Sequence, residues 1–331
     1  MSTLSAPPAP ASPVTPAHTL GGTGAIVPHL AGVPAERLLA AYEECRKITR
    51  TRARNFYHGL KLTPEPRRSA IYSIYAWMRA ADDLVDSGAP LAERRKTLSA
   101  FGETTRRVLA GGKTPPGSAA FWTSFAATAL SYPIDQSIFR DTLEGLQEDL
   151  DAVSYSTDED LSRYCYRVAG TVGLACVAIW GLREGADPEK ARQWALRRGQ
   201  AFQRTNILRD LAEDLDATPS RLYIPADAFA RHGVSPDELR AWKNEKACAA
   251  LVLDQAAIAR EHYTASEGLE SLIDPACSPT LWAMTRIYAG ILALIEENPR
   301  RVVMPARVRL RGTTKAGIAI AAALRARAGK W

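Results

Sequence analysis

The sequence predicts an all-α protein, and three observations carry that prediction. Apolar residues recur at helical spacing from Pro34 onward, and alternating β-branched runs bounded by turns are almost absent. Breaks that contain proline or glycine divide the chain into roughly eight to ten helical segments. Because no proline-rich linker interrupts these segments, we expect one all-α domain over residues 35–331.

The first 34 residues have a different composition from the rest of the 331-residue chain. They are rich in proline, alanine, glycine, serine and threonine and contain no lysine or arginine. Such a segment cannot bury a core, so we expect a disordered tail at residues 1–34 rather than a signal peptide. The uncharged stretch at residues 168–182 is too short to span a bilayer. We therefore expect a cytoplasmic protein whose membrane contact is peripheral, at the inner face.

Cysteines, histidines and charge exclude several classes of site. The five cysteines form no CxxC pair and the five histidines show no HExxH spacing, which argues against disulfides, zinc thiolates and histidine-built metal sites. The net charge of +6 suits anionic ligands. The basic residues of the chain are too dispersed for a nucleic-acid interface. The region richest in lysine and arginine, residues 300–330, favours contact with an anionic membrane surface instead.

One predicted helix carries two aspartates on its apolar face. Thr63 is the expected N-cap and Pro64 the first helical residue, and the helix should end near Asp86. Its apolar stripe comprises Ile71, Ile74, Tyr75 and Met78. Continued at the same spacing, this stripe reaches Asp82 and then Asp86. Inward-facing carboxylates need a partner or a metal; the alternative, a solvated helix end, is disfavoured because acidic residues there oppose the helix dipole.

A second helix repeats this arrangement. Gln203, Asn206, Asp210 and Asp214 follow one another at steps of three or four residues and form one polar stripe. Taken alone, this stripe is equally typical of a surface helix. If the two helices face each other, four carboxylates converge on one cavity, a donor set suited to Mg²⁺ and a substrate diphosphate. The basic residues close to the two stripes are Arg79, Arg209 and Arg221.

These motifs resemble the paired signatures of the squalene/phytoene synthase family. The first signature covers residues 75–79 and 82–86, and the second covers residues 203–214 and 221–225. Residues 164–173 are similar to the glycine-containing helix that the family places between them. Toward the C-terminus, residues 286–288, residues 307–308 and Lys315 also follow the family pattern. The resemblance covers about residues 45–320.

The resemblance implies a single-domain isoprenoid-synthase helical fold with a central cavity. It also implies head-to-head joining of two prenyl diphosphates through a cyclopropylcarbinyl diphosphate. The residues implied to hold Mg²⁺ are Asp82, Asp86, Asn206, Asp210 and Asp214, and the implied cavity-lining tyrosines are Tyr75 and Tyr164. The implied substrate contacts are Arg79, Gln203, Arg221, Tyr223, Tyr288, Arg307 and Lys315, with Phe56 and Leu60 facing the deep end.

The helix that leads into the cavity departs from the family pattern. Relatives carry small hydroxyl residues before its first aromatic residue, whereas this chain has Ala53, Arg54 and Asn55 before Phe56. The side chains of Asn55 and Arg54 offer replacement donors for a phosphate.

Two C15 substrates, farnesyl diphosphate, give presqualene diphosphate and a squalene-type C30 product; two C20 substrates, geranylgeranyl diphosphate, give phytoene. Residues 281–284 resemble bacterial members of the squalene line, and this resemblance favours the C30 product; phytoene synthesis is the alternative. No nicotinamide-binding fingerprint supports the use of NADPH. A terpene cyclase and a non-catalytic relative that acts as an assembly or membrane-docking subunit remain as rivals. The expected partners are prenyl diphosphates and a downstream isoprenoid enzyme.

Overall fold

The computed structural model describes residues 30, 32–53, 57, 59–114, 119–151 and 153–329. Within these ranges the chain is helical and contains no strand, apart from two isolated bridges that join Ser154 to Leu222 and Leu182 to Ile273. The all-α prediction is therefore confirmed. Most of the predicted tail lies outside the described residues, as do Arg54, Asn55 and Phe56.

The α-helices are numbered here in chain order. They are α1 (Ala35–Arg52), α2 (Arg67–Val85), α3 (Leu91–Leu109), α4 (Phe121–Ser131), α5 (Ser137–Glu148), α6 (Asp158–Cys165), α7 (Thr171–Trp180), α8 (Pro188–Asp216), α9 (Ala226–His232), α10 (Pro236–Ala241), α11 (Glu245–Ala265), α12 (Leu269–Leu272), α13 (Ser278–Glu297) and α14 (Gly312–Arg327). A π-helical turn, Tyr166–Gly170, joins α6 to α7, and a 3₁₀ turn, Pro299–Val303, follows α13. None of the described helices combines the length and apolarity needed to span a bilayer.

Helix α2 begins at Arg67 rather than at Pro64, so the predicted start was wrong. Thr63 is not an N-cap, because its hydroxyl is buried and lies 2.9 Å from the hydroxyl of Thr280 in α13. Pro66 instead precedes the first helical residue, a position that tolerates its missing amide hydrogen. The helix ends at Val85 with Asp86 as its C-cap, as the sequence predicts.

An aromatic cluster holds α2 in place. Trp77 is buried and stacks on Phe125 at 5.3 Å between ring centroids, and it meets Phe139 edge-on at 5.1 Å. Its indole N–H donates to the hydroxyl of Thr105 at 3.0 Å. Residues 75, 79 and 82 lie on the opposite side of the helix. The cluster therefore turns that side toward the interior cavity.

Helix α8 lies almost backbone to backbone against the π-helical turn and α7. Asp187 caps its first turn by accepting from the amides of Glu189 and Lys190. Farther along, a Cβ on Gly199 would lie 2.7 Å from the carbonyl oxygen of Ala169, and one on Gly173 would lie 2.9 Å from that of Ala195. Glycine is needed at both positions because a side chain would force the helices apart. We call this contact the glycine crossing.

Candidate active site

The helices enclose a cavity of about 1390 Å³ that is apolar at its closed end and charged at its mouth. Buried apolar side chains form the closed end: Leu60, Ile71, Ile74, Ala175, Ile179, Trp180, Ala195, Leu269 and Leu281. Exposed lining residues mark the mouth: Arg50, Arg52, Glu213, Arg307, Arg309, Gly312 and Ala316. An amphipathic molecule with a charged head and a long apolar tail matches this polarity.

The aspartates of α2 surround one arginine at the cavity mouth. Arg79 donates to Asp83, and its guanidinium lies 3.8 Å from a carboxylate oxygen of Asp82 and 4.0 Å from one of Asp86. Desolvation, together with repulsion from Asp86 and Asp149, raises the pKa of Asp82 to about 7, although Arg79 opposes the shift. This carboxyl group therefore lacks full charge compensation from its protein neighbours.

The aspartates of α8 have a different balance of charge. The guanidinium of Arg209 donates to both carboxylate oxygens of Asp210, at 2.7 and 2.6 Å, and Nε of Arg307 donates to one of them. Burial opposes ionisation of Asp210, but the two arginines prevail and hold its pKa below the usual value. One turn later, burial and the charge of Asp210 raise the pKa of Asp214 to about 7.

Arg221 connects the two aspartate motifs. Its guanidinium lies 3.4 Å from a carboxylate oxygen of Asp86, while its amide donates to the backbone oxygen of Asp214 at 2.8 Å. The ends of α2 and α8 therefore meet at the same end of the molecule, with positive charge between them. Any diphosphate bound there would compete with carboxylates for the same arginines.

Asn206 presents an unused acceptor near this junction. Its Nδ2 donates to Oε1 of Gln203 at 3.3 Å, whereas its buried Oδ1 has no hydrogen-bond partner among the described residues. A buried carbonyl oxygen without a donor is costly in the free protein and is a suitable cation ligand. The described residues contain no ready cluster of three or more histidine, cysteine or acidic side chains for a metal. The oxygen donors fit Mg²⁺ in kind, but the described arginine pairs occupy several carboxylates.

The cavity gathers many of the residues singled out in the sequence. Those that line it are Leu60, Tyr75, Arg79, Asp82, Gln203, Asn206, Tyr288, Arg307 and Lys315. Asp86, Asp210, Asp214, Arg221, Tyr164 and Tyr223 do not line it. Phe202 and Tyr288 add aromatic faces to the wall, with ring centroids 4.8 Å apart. Asn55 and Phe56 lie outside the described residues.

Asp149 is a candidate residue that sequence reasoning missed. It follows α5 and accepts from the hydroxyls of Tyr164 and Tyr223, each at 3.2 Å. Burial raises its pKa to about 6, although these two hydrogen bonds lower it. Tyr164, which does not line the cavity, thus uses its hydroxyl to hold the Asp149 carboxylate. A lone carboxylate after a helix has no spacing pattern, so only the fold reveals it.

Comparisons with known proteins agree with this architecture. The family pattern described as "Squalene/phytoene synthase" matches residues 49–314. The 15-cis-phytoene synthase of Synechococcus elongatus is 38% identical over 270 residues, which are 79% of this chain and 85% of that protein. The phytoene synthase of Arthrospira platensis is 34% identical and covers 78% of this chain and 84% of its own length.

Solved structures share the fold. A ligand complex of a dehydrosqualene synthase superposes with a TM-score of 0.77 at 25% identity and covers 89% of this chain and 100% of that one. Squalene synthase HpnC from Alicyclobacillus acidocaldarius superposes with a TM-score of 0.71 at 28% identity, over 80% of this chain and 96% of that one. This chain therefore belongs to the squalene/phytoene synthase family and is a prenyltransferase.

Proposed function

We propose that this prenyltransferase joins two geranylgeranyl diphosphates head to head to form phytoene. The observation that carries the proposal is the polarity of the cavity, with arginines, Asp82 and Glu213 among the lining residues toward the mouth and apolar side chains at the closed end. The charged mouth suits diphosphate groups, and the apolar end suits prenyl chains. We further propose that a downstream isoprenoid enzyme consumes this apolar product.

The relatives and the cavity wall support C20 over C15 substrates. The two curated relatives described above are phytoene synthases, and their matches cover most of both chains. Small residues also line the wall: Gly173, Ala175, Cys176, Ala195 and Gly199. Because these residues are small, the cavity keeps room for a longer prenyl chain. The C30 product that residues 281–284 favour has support only from the squalene-type and dehydrosqualene-type structural neighbours, so it is the weaker interpretation.

We further propose that the aspartates and arginines near the mouth exchange ionic partners when Mg²⁺ and substrate bind. Asp82, Asp86, Asn206, Asp210 and Asp214 are proposed to hold Mg²⁺, which would supply charge neutralisation at the departing diphosphate. The arginines released from those carboxylates, together with Lys315, would then bind diphosphate oxygens. This exchange keeps the mouth close to charge balance before and after substrate binds.

The remaining wall residues are proposed to protect the allylic cation. Ionisation of the C–O bond needs no nucleophilic side chain, but the cation must be kept from water. The aliphatic closed end excludes water, and the faces of Tyr75, Phe202 and Tyr288 stabilise positive charge electrostatically. Tyr164 and Tyr223 would hold the Asp149 carboxylate in place behind the mouth.

Product analysis tests this proposal. The purified protein is incubated with Mg²⁺ and all-trans C15 or C20 prenyl diphosphate, without NADPH, and the lipid product is identified by mass spectrometry. Phytoene from the C20 substrate is the expected result, and the Asp82→Asn variant is the inactive control. Presqualene diphosphate or a C30 hydrocarbon from the C15 substrate alone would overturn the chain-length assignment. Absence of condensation with both substrates, in a folded protein, would overturn the catalytic assignment.

A further inference from the structure

Two large aliphatic side chains project from helix α14 into solvent. Ile320 is 61% exposed and Leu324 is 58% exposed, and their spacing of one turn puts them on the same face. Ala322, on the opposite face, is completely buried and anchors the helix to the protein. No other described residue covers the outward face. Adjoining exposed aliphatic residues of this kind indicate a surface that meets another apolar phase.

The charge around this face has one sign. Residues 298–331 contain nine lysine or arginine residues and no aspartate or glutamate. Within the described part of this segment, the ion pairs to carboxylates involve Arg301 and Arg307, whereas Arg309, Arg311 and Arg327 are exposed. An apolar helix face flanked by arginines is complementary to a bilayer that carries anionic headgroups.

The face also adjoins the mouth of the cavity. Ala316 and Ala319 of α14 line the cavity, and Ile320 follows Ala319 at about 100° around the helix. A flat surface that contacts Ile320 and Leu324 would therefore lie beside the opening. Prenyl tails and hydrocarbon products partition into lipid, so a mouth at the bilayer shortens their path through water. This last step depends on the proposed function, whereas the exposed face and its charge do not.

We propose that the outward face of α14 docks the protein on a bilayer that contains anionic phospholipid. Ile320 and Leu324 enter the headgroup region, and Arg327, three residues after Leu324 on the same face, contacts anionic headgroups beside them. The cavity mouth then opens at the membrane surface. No membrane-spanning segment is required for this peripheral attachment.

Vesicle cosedimentation with the purified full-length protein, in the absence of substrate, tests the proposal. The vesicles contain equal parts of phosphatidylglycerol and phosphatidylcholine, or phosphatidylcholine alone. We expect binding to the anionic vesicles that weakens at high salt. The double variant Ile320→Ser with Leu324→Ser should bind about tenfold more weakly, and Arg327→Gln should bind about fivefold more weakly.

A matched double variant, Leu130→Ser with Leu253→Ser, removes exposed leucines from α4 and α11 and should bind like the wild type. All three variants should keep their circular dichroism spectrum and their turnover of detergent-dispersed prenyl diphosphate, so a failed enzyme assay does not affect the binding result. Equal vesicle binding by the wild type and the Ile320→Ser, Leu324→Ser variant would overturn the proposal. Equal binding of the wild type to both vesicle types would also overturn it. A third result would overturn the proposal as well: a wild-type dimer in analytical ultracentrifugation that the Ile320→Ser, Leu324→Ser variant does not form. A second copy of the chain would then cover the face.

Discussion

The ion pair between Arg307 and Asp210 offers a direct test of the proposed exchange of partners. Replacing Arg307 with glutamine removes the charge but keeps a side chain of moderate length. The Asp210 side chain is 18% exposed and that of Arg307 is 47% exposed, so their pair is partly solvated. A pair of this kind contributes about 1 kcal/mol, which corresponds to about fivefold in an equilibrium constant. Arg209 remains within 2.6 Å of the carboxylate in the variant.

We expect Arg307→Gln to bind Mg²⁺ about fivefold more tightly than the wild type when no diphosphate is present. The reason is that the Asp210 carboxylate no longer has to leave this arginine in order to bind the ion. Added inorganic diphosphate should improve Mg²⁺ binding less in the variant, since one receptor for the anion is gone. Isothermal titration calorimetry with and without diphosphate measures both effects.

Arg311→Gln is the matched control for this experiment. It removes the same charge from an exposed arginine of the same segment that does not line the cavity. The control separates the contact with Asp210 from the general effect of lowering the positive charge. The reasoning would be refuted if Arg307→Gln and Arg311→Gln changed Mg²⁺ affinity equally, or if diphosphate improved Mg²⁺ binding to the same extent in Arg307→Gln and the wild type.

Three further substitutions probe other parts of the molecule. Asp149→Asn removes the carboxylate that accepts from Tyr164 and Tyr223, and we expect kcat to fall by about tenfold or more in steady-state assays, with a modest change in melting temperature. Cys176→Phe places a ring in the cavity wall and should lower turnover of the C20 substrate about tenfold while sparing the C15 substrate. His262→Gln should reduce acid sensitivity. Burial and nearby arginines lower the pKa of His262 from 6.5 to about 4, so the unfolded chain takes up a proton between these pH values before the native protein does. Wild-type stability therefore falls as pH decreases from 7 to 5, by up to about 2 kcal/mol in urea titrations, a loss that the variant should lack.

Each of these predictions has its own control. Asp149→Glu keeps the negative charge and should retain more activity than Asp149→Asn. If the side chain only fills space, Asp149→Glu should instead be no more active than Asp149→Asn. Cys176→Ala keeps the wall small and should use the C20 substrate as the wild type does; equal losses on both substrates in Cys176→Phe would contradict a role in chain length. For His262, the same loss of stability between pH 7 and pH 5 in the wild type and the variant would rule out this residue as its source.

Sequence patterns reveal the aspartates of α2 and α8 because a spacing of four residues itself defines one face of a helix. Contacts between distant segments leave no such pattern. Before the start of α2, the hydroxyl of Thr63 is hydrogen-bonded to that of Thr280, 217 residues away, and so is not available as an N-cap. Asp149 is recognisable only after the fold brings it to two tyrosines. The sequence likewise places arginines near the aspartates, but it does not show that several of them form ion pairs with these carboxylates.

The glycine crossing limits how the cavity can evolve. At Gly199 and Gly173 the neighbouring atoms are backbone carbonyls, which no compensating substitution can shorten. A larger residue there would move α8 as a rigid body and shift both Asn206 and Asp210, which lie on the same helix. Under the proposed function, substitutions at wall positions formed by side chains, such as Leu60 and Cys176, can change the length of the cavity without moving α8. Because the glycine crossing fixes α8, the polar residues that α8 contributes near the mouth can keep their positions while side chains elsewhere in the wall change to suit a prenyl tail of another length.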